Sequence, residues 1–244
     1  MEILIDDQRC TRCMLCVNDC ASMVWKDVNG RPVPVQDERC NLCSHCVAVC
    51  PVNAIAHSGL DTDQVRCLNK KQILPEALET IVRAKRSIRN YRPEPVPDNI
   101  IEKIITLSNY TPTASNSQHV GYVVVTDPGR LKKISRAVFG LAEKIYRFFS
   151  GFPGRFVYRA MQFFSWTDTL ERYMDPMPHY IEETKKGHDY ILHGAPVLIL
   201  VHGPKKSSFA QINCNLSACN MMNYAFSLGL GTCYIGFLNL YLKY

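Results

Sequence analysis

The apolar positions of this chain change their spacing partway along. Up to residue 57 the apolar runs are three or four residues long: Ile3-Leu4-Ile5, Met23-Val24-Trp25, residues 32–35 and residues 54–56. Runs this short, bounded by polar turns, predict short strands, the first two pairing with each other and the last two likewise. Residues 58–74 form a polar connector, with Ser58-Gly59, two aspartates and Asn69-Lys70-Lys71. A helical period follows. Pro75-Glu76 opens a helix carrying Leu78, Ile81, Val82 and, beyond it, Ile88. After a proline-rich stretch, Asp98 is expected to cap a helix bearing Ile100, Ile101, Ile104, Ile105 and Leu107. A polar loop over residues 111–118 leads into a strand over 121–126, with Asp127-Pro128-Gly129 as its turn. A second strand is expected over 196–201, a long helix over 213–227 closed by Gly229 and Gly231, and a third strand over 232–237.

The chain has 12 cysteines in 244 residues, and their positions carry the chemistry. Cys10, Cys13, Cys16 and Cys20 follow C-x2-C-x2-C-x3-C, and Cys40, Cys43, Cys46 and Cys50 repeat the pattern 30 residues later, followed by Pro51. Three cysteines at intervals of three wrap one corner of a cubane, while the fourth points to the neighbouring one. The first [4Fe–4S] cluster is therefore expected on Cys10, Cys13, Cys16 and Cys50, and the second on Cys40, Cys43, Cys46 and Cys20. A structural zinc site favours two C-x-x-C pairs further apart. His45 reads as an exposed loop residue, Trp25 as core packing and Cys67 as a linker residue; Cys214, Cys219 and Cys233 read as small buried hydrophobes. Residues 1–57 resemble the bacterial two-cluster ferredoxins, with Ala21 where that family has a proline.

The formal charge of +6 counts thiols as neutral. Each cluster with four thiolates adds about −2, so the loaded protein carries roughly +2. Nucleic acid is not an expected partner. No 18-residue apolar run suggests membrane insertion, and Met1-to-Asp7 lacks the basic start of a signal peptide, so the expected location is cytoplasmic.

Four further segments carry a second resemblance: Lys85-Arg86-Ser87-Ile88-Arg89-Asn90-Tyr91; Pro112-Thr113-Ala114-Ser115-Asn116-Ser117-Gln118; Gly194-Ala195-Pro196; and Gly229-Leu230-Gly231-Thr232-Cys233-Tyr234-Ile235-Gly236. In this order they resemble the nitroreductase family of FMN-dependent flavoproteins, in its form with a fused N-terminal ferredoxin. The resemblance implies an α+β chain: a two-cluster domain over 1–57, a linker over 58–74, and over 75–244 a flavin domain with a central sheet flanked by helices. It also implies that Lys85, Arg86, Ser87 and Arg89 hold the FMN phosphate, as clustered cations and a hydroxyl suit a dianion. Ser115, Asn116 and Gln118 would meet the polar edge and ribityl chain of the flavin, while Gly229, Gly231 and Thr232 would let backbone approach it closely. Asn220 is a further candidate to face the flavin. Only residues 238–244 follow the last segment, where the family has another basic contact and an extension embracing a second subunit; Lys243 is the candidate stand-in.

The aromatic-rich stretch from Val138 to Tyr180 reads as a substrate lid over a flat apolar pocket, as helical packing at a dimer interface, or as a basic amphipathic segment lying on a membrane surface. The expected protein is a homodimeric oxidoreductase. It would take electrons from a low-potential donor, pass them through two clusters to FMN, and reduce a small electron-poor acceptor of nitroaromatic or quinone type. No protein acid or base is assigned to catalysis. The alternative is a non-catalytic electron carrier whose second domain has lost flavin and docks a redox partner.

Overall fold

The computed structural model describes residues 1–61, 74–163, 172 and 174–241. Cys67, Trp166, Tyr173 and Lys243 lie outside the described residues. The chain divides into two units, one of Met1–Ala77 with Pro112–His119, the other of Leu78–Thr111 with Val120–Tyr244.

In the first unit, β1 (Ile3–Ile5) pairs antiparallel with β4 (Ile55–His57), Ile3 opposite His57. β2 (Trp25–Val28) pairs antiparallel with β3 (Arg31–Pro34). This exchanges the partners expected from the apolar runs. The cause is local: Asn29 and Gly30, both at positive φ (52° and 75°), make a two-residue hairpin turn that commits its own flanking strands to each other. Asp27 Oδ1 braces it by accepting from the Gly30 amide at 2.8 Å. Strands β1 and β4, at the two ends of the segment, are left to pair. Ile3, Val24, Trp25 and Ile55 fill the small core between the sheets. Two five-residue helices, α1 (Leu15–Asp19) and α2 (His45–Val49), sit 30 residues apart, as the cysteine motifs do.

In the second unit, β5 (Gly121–Val125) and β6 (Leu198–His202) form an antiparallel pair, Gly121 opposite His202. Helix α3 (Pro75–Ala84), which begins in the first unit, has no buried residue among those described, and Leu78 and Val82 lie exposed on it. Helix α4 (Asp98–Ser108) buries Ile101 and Ile104; Asp98 is its first residue rather than a side-chain cap. Asp127-Pro128-Gly129 is not a strand turn. Asp127 caps α5 (Pro128–Ser150), its Oδ1 accepting from the Arg130 amide at 2.7 Å, with Pro128 at the first helical position. A cis Phe152–Pro153 bond separates α5 from α6 (Gly154–Phe163), and α7 (Met177–Lys185) follows. Helix α8 (Ala210–Ser227) ends in a Schellman motif: Gly229, at φ +81°, donates to Phe226 O, and Leu230 donates to Ala225 O. The third strand expected over 232–237 is absent. Thr232 makes one parallel bridge to Ser87, and Gly236 already begins α9 (Gly236–Tyr241). No described helix is long and apolar enough to cross a membrane.

Candidate functional site

The 30-residue repeat in the cysteines is also a repeat in backbone conformation. Arg12, Met14 and Met23 are left-handed in the first copy, and Leu42, Ser44 and Asn53 in the second, with φ between 49° and 60°. Non-glycine residues avoid this region, at about 1–2 kcal/mol each, so the six together cost on the order of 6–12 kcal/mol. Burial of the four core side chains contributes an amount of the same order. The loops are therefore strained for a reason outside the small core, and a bound group accounts for it.

Two hollows lie beneath these loops. One, of about 340 Å³, is lined by Cys10, Cys13, Cys16 and Cys50. The other, of about 350 Å³, is lined by Cys20, Cys40, Cys43 and Cys46. Each quartet takes three cysteines from one motif and the fourth from the other, the crossed arrangement expected from the spacing. Backbone donors match as well: the Val24 amide donates to Cys20 Sγ at 3.4 Å and the Ala54 amide to Cys50 Sγ at 3.2 Å. Among the described residues no three His, Cys, Asp or Glu side chains converge on a single ion; each quartet surrounds a space instead. The eight thiols fit two cubanes. Burial pushes the Cys16 thiol up, and also that of Cys46. Trp25 is buried in the core and lines the second hollow. His45, on the surface as expected, lies 3.3 Å from Asp19.

Two of the expected flavin segments come together in the second unit. Ser87 bridges Thr232, and the Ile88 amide donates to Thr232 O at 3.0 Å. Gly231 lies against Ile88 so closely that a Cβ there would stand 2.9 Å from its side chain. Thr232 Oγ1 is buried without a hydrogen-bond partner among the described residues, an orphaned polar atom between the two segments. Lys85 is half-buried and Arg89 exposed. The Arg86 guanidinium is folded back on the carbonyls of Arg83 (2.6 Å) and Lys85 (2.8 Å). Burial, with the Cys233 thiol nearby, pushes the Tyr91 phenol up to about 12, against the pull of Arg89. The orphaned hydroxyl beside Ser87, in a segment that also carries Lys85, Arg86 and Arg89, suits a phosphate-bearing group.

Ser115, Asn116 and Gln118 form part of the first unit. All three are left-handed (φ 53°, 50° and 50°). Asn116 Nδ2 donates to Asn41 O, within the second cysteine loop, at 2.9 Å, and its Oδ1 accepts from Gln118 Nε2 at 3.3 Å. Asn220 is engaged too, donating to Thr111 Oγ1 at 2.9 Å. Cys219 is exposed rather than buried, and Cys214 and Cys233 are half-buried. Cys233 lies in no strand, because the segment turns into α9 instead.

One organising residue escaped the sequence reading. The Asp189 carboxylate accepts the amides of Ile191 (3.0 Å), Leu192 (3.0 Å) and Gly194 (3.2 Å), and the Ser135 hydroxyl of α5. It holds the left-handed pair His193 and Gly194 (φ 56° and 71°) that begins the Gly194-Ala195-Pro196 segment. The signal is weak: an aspartate can accept the amide two residues on in an Asx-turn, as Asp189 does from Ile191. His193 is pushed down by burial and by Arg89, with Asp189 pulling the other way.

Two family models match the chain, the 4Fe-4S dicluster domain over residues 9–55 and the nitroreductase family over residues 82–242. An NADH dehydrogenase of Thermus thermophilus is 38% identical over 64 residues, which is 26% of this chain and 31% of that protein. Among solved structures, an FMN-dependent nitroreductase from Clostridium difficile R20291 is 20% identical, covering 65% of this chain and 60% of its own, with a TM-score of 0.45. A nitroreductase with bound FMN from Bacteroides fragilis is 19% identical, covering 70% of this chain and 79% of its own, with a TM-score of 0.47. The match over residues 82–242 takes in well over half of the chain, and the protein belongs to the nitroreductase family of oxidoreductases, with a 4Fe-4S dicluster domain ahead of it.

Proposed function

We propose that this protein is an iron–sulfur flavoprotein. It takes single electrons from a low-potential donor into two [4Fe–4S] clusters and delivers them through FMN to a small electron-poor acceptor of nitroaromatic or quinone type. One observation carries the reading: two crossed four-cysteine hollows share a chain with a nitroreductase domain. When bound, FMN supplies the exchange between one-electron and two-electron chemistry that the clusters lack. Ser87 and Thr232, with Lys85 and Arg89 beside them, would hold its phosphate; Arg86 would exchange its carbonyl partners for that phosphate. Tyr91, with its phenol near 12, stays protonated and remains a hydrogen-bond donor across the physiological range. The exposed rings of Phe148, Phe152 and Phe156 offer an apolar surface for a planar acceptor. A cytoplasmic homodimer fits this reading.

Purification without oxygen, with iron, sulfide and flavin quantified per chain, tests it. The expected protein holds about 8 iron and 8 sulfide with one flavin, and turns over nitroaromatics or quinones with a low-potential reductant. Clusters without flavin or turnover would leave an electron carrier and remove the enzyme.

Thr232→Val separates flavin binding from folding. Losing an orphaned hydroxyl should leave the flavin-free protein as stable as before, or up to about 1 kcal/mol more stable. Losing a partner of the bound group should weaken FMN binding about fivefold to tenfold. Thermal melts and flavin fluorescence titration read the two effects. Unchanged FMN affinity would place Thr232 outside the site.

A further inference from the structure

The two hollows are alike in their thiolates and unlike in what surrounds them. His57 is buried, at 4% exposure, on β4. The Gly59 amide donates to its Nδ1 at 3.1 Å, so that nitrogen carries no proton and Nε2 does. Nε2 lies 3.3 Å from Cys40 Sγ. The imidazole thus presents an N–H to a thiolate of the second quartet, in an orientation set by the backbone. Gly59 is packed tightly here: a Cβ would stand 2.6 Å from Leu42, inside the same cysteine loop, and 3.2 Å from the His57 ring. Trp25, also buried, lines the same hollow.

The internal repeat supplies the control. Moving 30 residues back, the position of His57 holds Asp27. An aspartate side chain has no N–H, and the carboxylate of Asp27 accepts from the Gly30 amide at 2.8 Å. The backbone donors, Val24 to Cys20 and Ala54 to Cys50, match between the quartets and cancel in the comparison. The side-chain N–H of His57 therefore falls on the second quartet, with no counterpart at the equivalent place around the first. A reduced cluster carries one more negative charge than an oxidised one. A donor aimed at its sulfur stabilises the reduced form more and moves the potential positive.

Resting on the proposed two-cluster reading, we infer that His57 is a positioning residue that raises the reduction potential of the second cluster, on Cys20, Cys40, Cys43 and Cys46, and leaves the first untouched. The second cluster is then the place where incoming electrons collect before the flavin draws on them.

Redox titration of the anaerobically purified full chain, followed by electron paramagnetic resonance, tests this. In His57→Leu one cluster's midpoint moves negative while the other stays. His57→Gln, which keeps an N–H donor on a side chain of similar reach, returns the midpoint towards the wild-type value. If both midpoints move together, or neither moves while iron content is retained, the inference is overturned. It is equally overturned if His57→Leu loses the second cluster and His57→Gln does not restore it, because His57 is then only a structural prop. A wild-type protein holding fewer than two clusters overturns the reading beneath it instead, and iron analysis shows this before any variant is compared.

Discussion

Cys50→Ala removes the first cluster, although Cys50 belongs to the second motif. Iron should fall from about 8 to about 4 per chain. Single variants cannot say which cluster was lost, but pairs can, because ligands of one cluster are not additive. Cys13→Ala combined with Cys50→Ala should lose no more iron than either alone, since both line the same hollow. Cys43→Ala combined with Cys50→Ala should lose nearly all of it, since those two residues line different hollows. Were each motif to hold its own cluster, the two double variants would exchange results. Iron and sulfide analysis of the anaerobically purified proteins decides between these outcomes. The stability of the first unit should follow the iron. Its six left-handed loop residues oppose folding by about as much as its small core favours it, and cluster ligation supplies the remainder.

Asp189→Ala should be the most damaging single change in the second unit outside its core. It strips three backbone amides and the Ser135 hydroxyl of one shared acceptor. Water reaches this half-buried place and replaces part of the loss, leaving a cost of about 3–4 kcal/mol. For a chain of this length that lowers the melting temperature by roughly 8–12 °C. Asp189→Asn keeps one acceptor oxygen and should cost about half as much.

The pH dependence gives an independent check. Burial pushes the Asp189 carboxyl up, but the Ser135 hydroxyl and the amides of Leu192, Gly194 and Ile191 together outweigh it and hold the group below its usual range. A depressed folded-state value means a stabilisation present in full above the unfolded value near pH 4 and lost as pH falls through the folded value. Wild type should therefore lose more stability than Asp189→Ala between pH 5 and the acid limit, and the two melting curves should approach each other as pH falls. A difference that does not narrow on acidification would mean that the carboxylate charge is not what holds the loop. His193 offers a local readout: without Asp189 nothing named opposes burial and Arg89, so its titration should move further down.

Much of the architecture was legible because it follows from short-range rules. The C-x2-C-x2-C-x3-C spacing limits how four thiolates can be distributed, so the crossed quartets were expected before the hollows were seen. Helix α4 followed from apolar periodicity over three turns, and Gly229 marked the end of α8 because a Schellman turn needs a positive φ. The errors fell where short segments had more than one satisfactory partner. Strands of three or four residues carry too little pattern to name their mates. The Asn29-Gly30 turn did carry that information, and its φ signature outranks the apolar match of distant runs. Asp127-Pro128-Gly129 suits a strand turn and a helix start alike, and the fold uses it as a helix start. Residues 232–237 are apolar enough for a strand, yet Gly236 opens a helix whose Leu238 packs into the core beside α5.

By itself, the sequence determined that this chain joins a 4Fe-4S dicluster domain to a nitroreductase-family domain, because cysteine spacing and glycine placement are covalent constraints written residue by residue. Only tertiary structure decided which groups meet. It set His57 against Cys40, where the repeat shows only a mismatch with Asp27. It gathered three amides on Asp189, and among the described residues it left the Thr232 hydroxyl buried without a partner beside Ser87. Such meetings depend on burial and on distances across the fold. A sulfur's hydrogen bonds shape its chemistry only once the chain has closed around it.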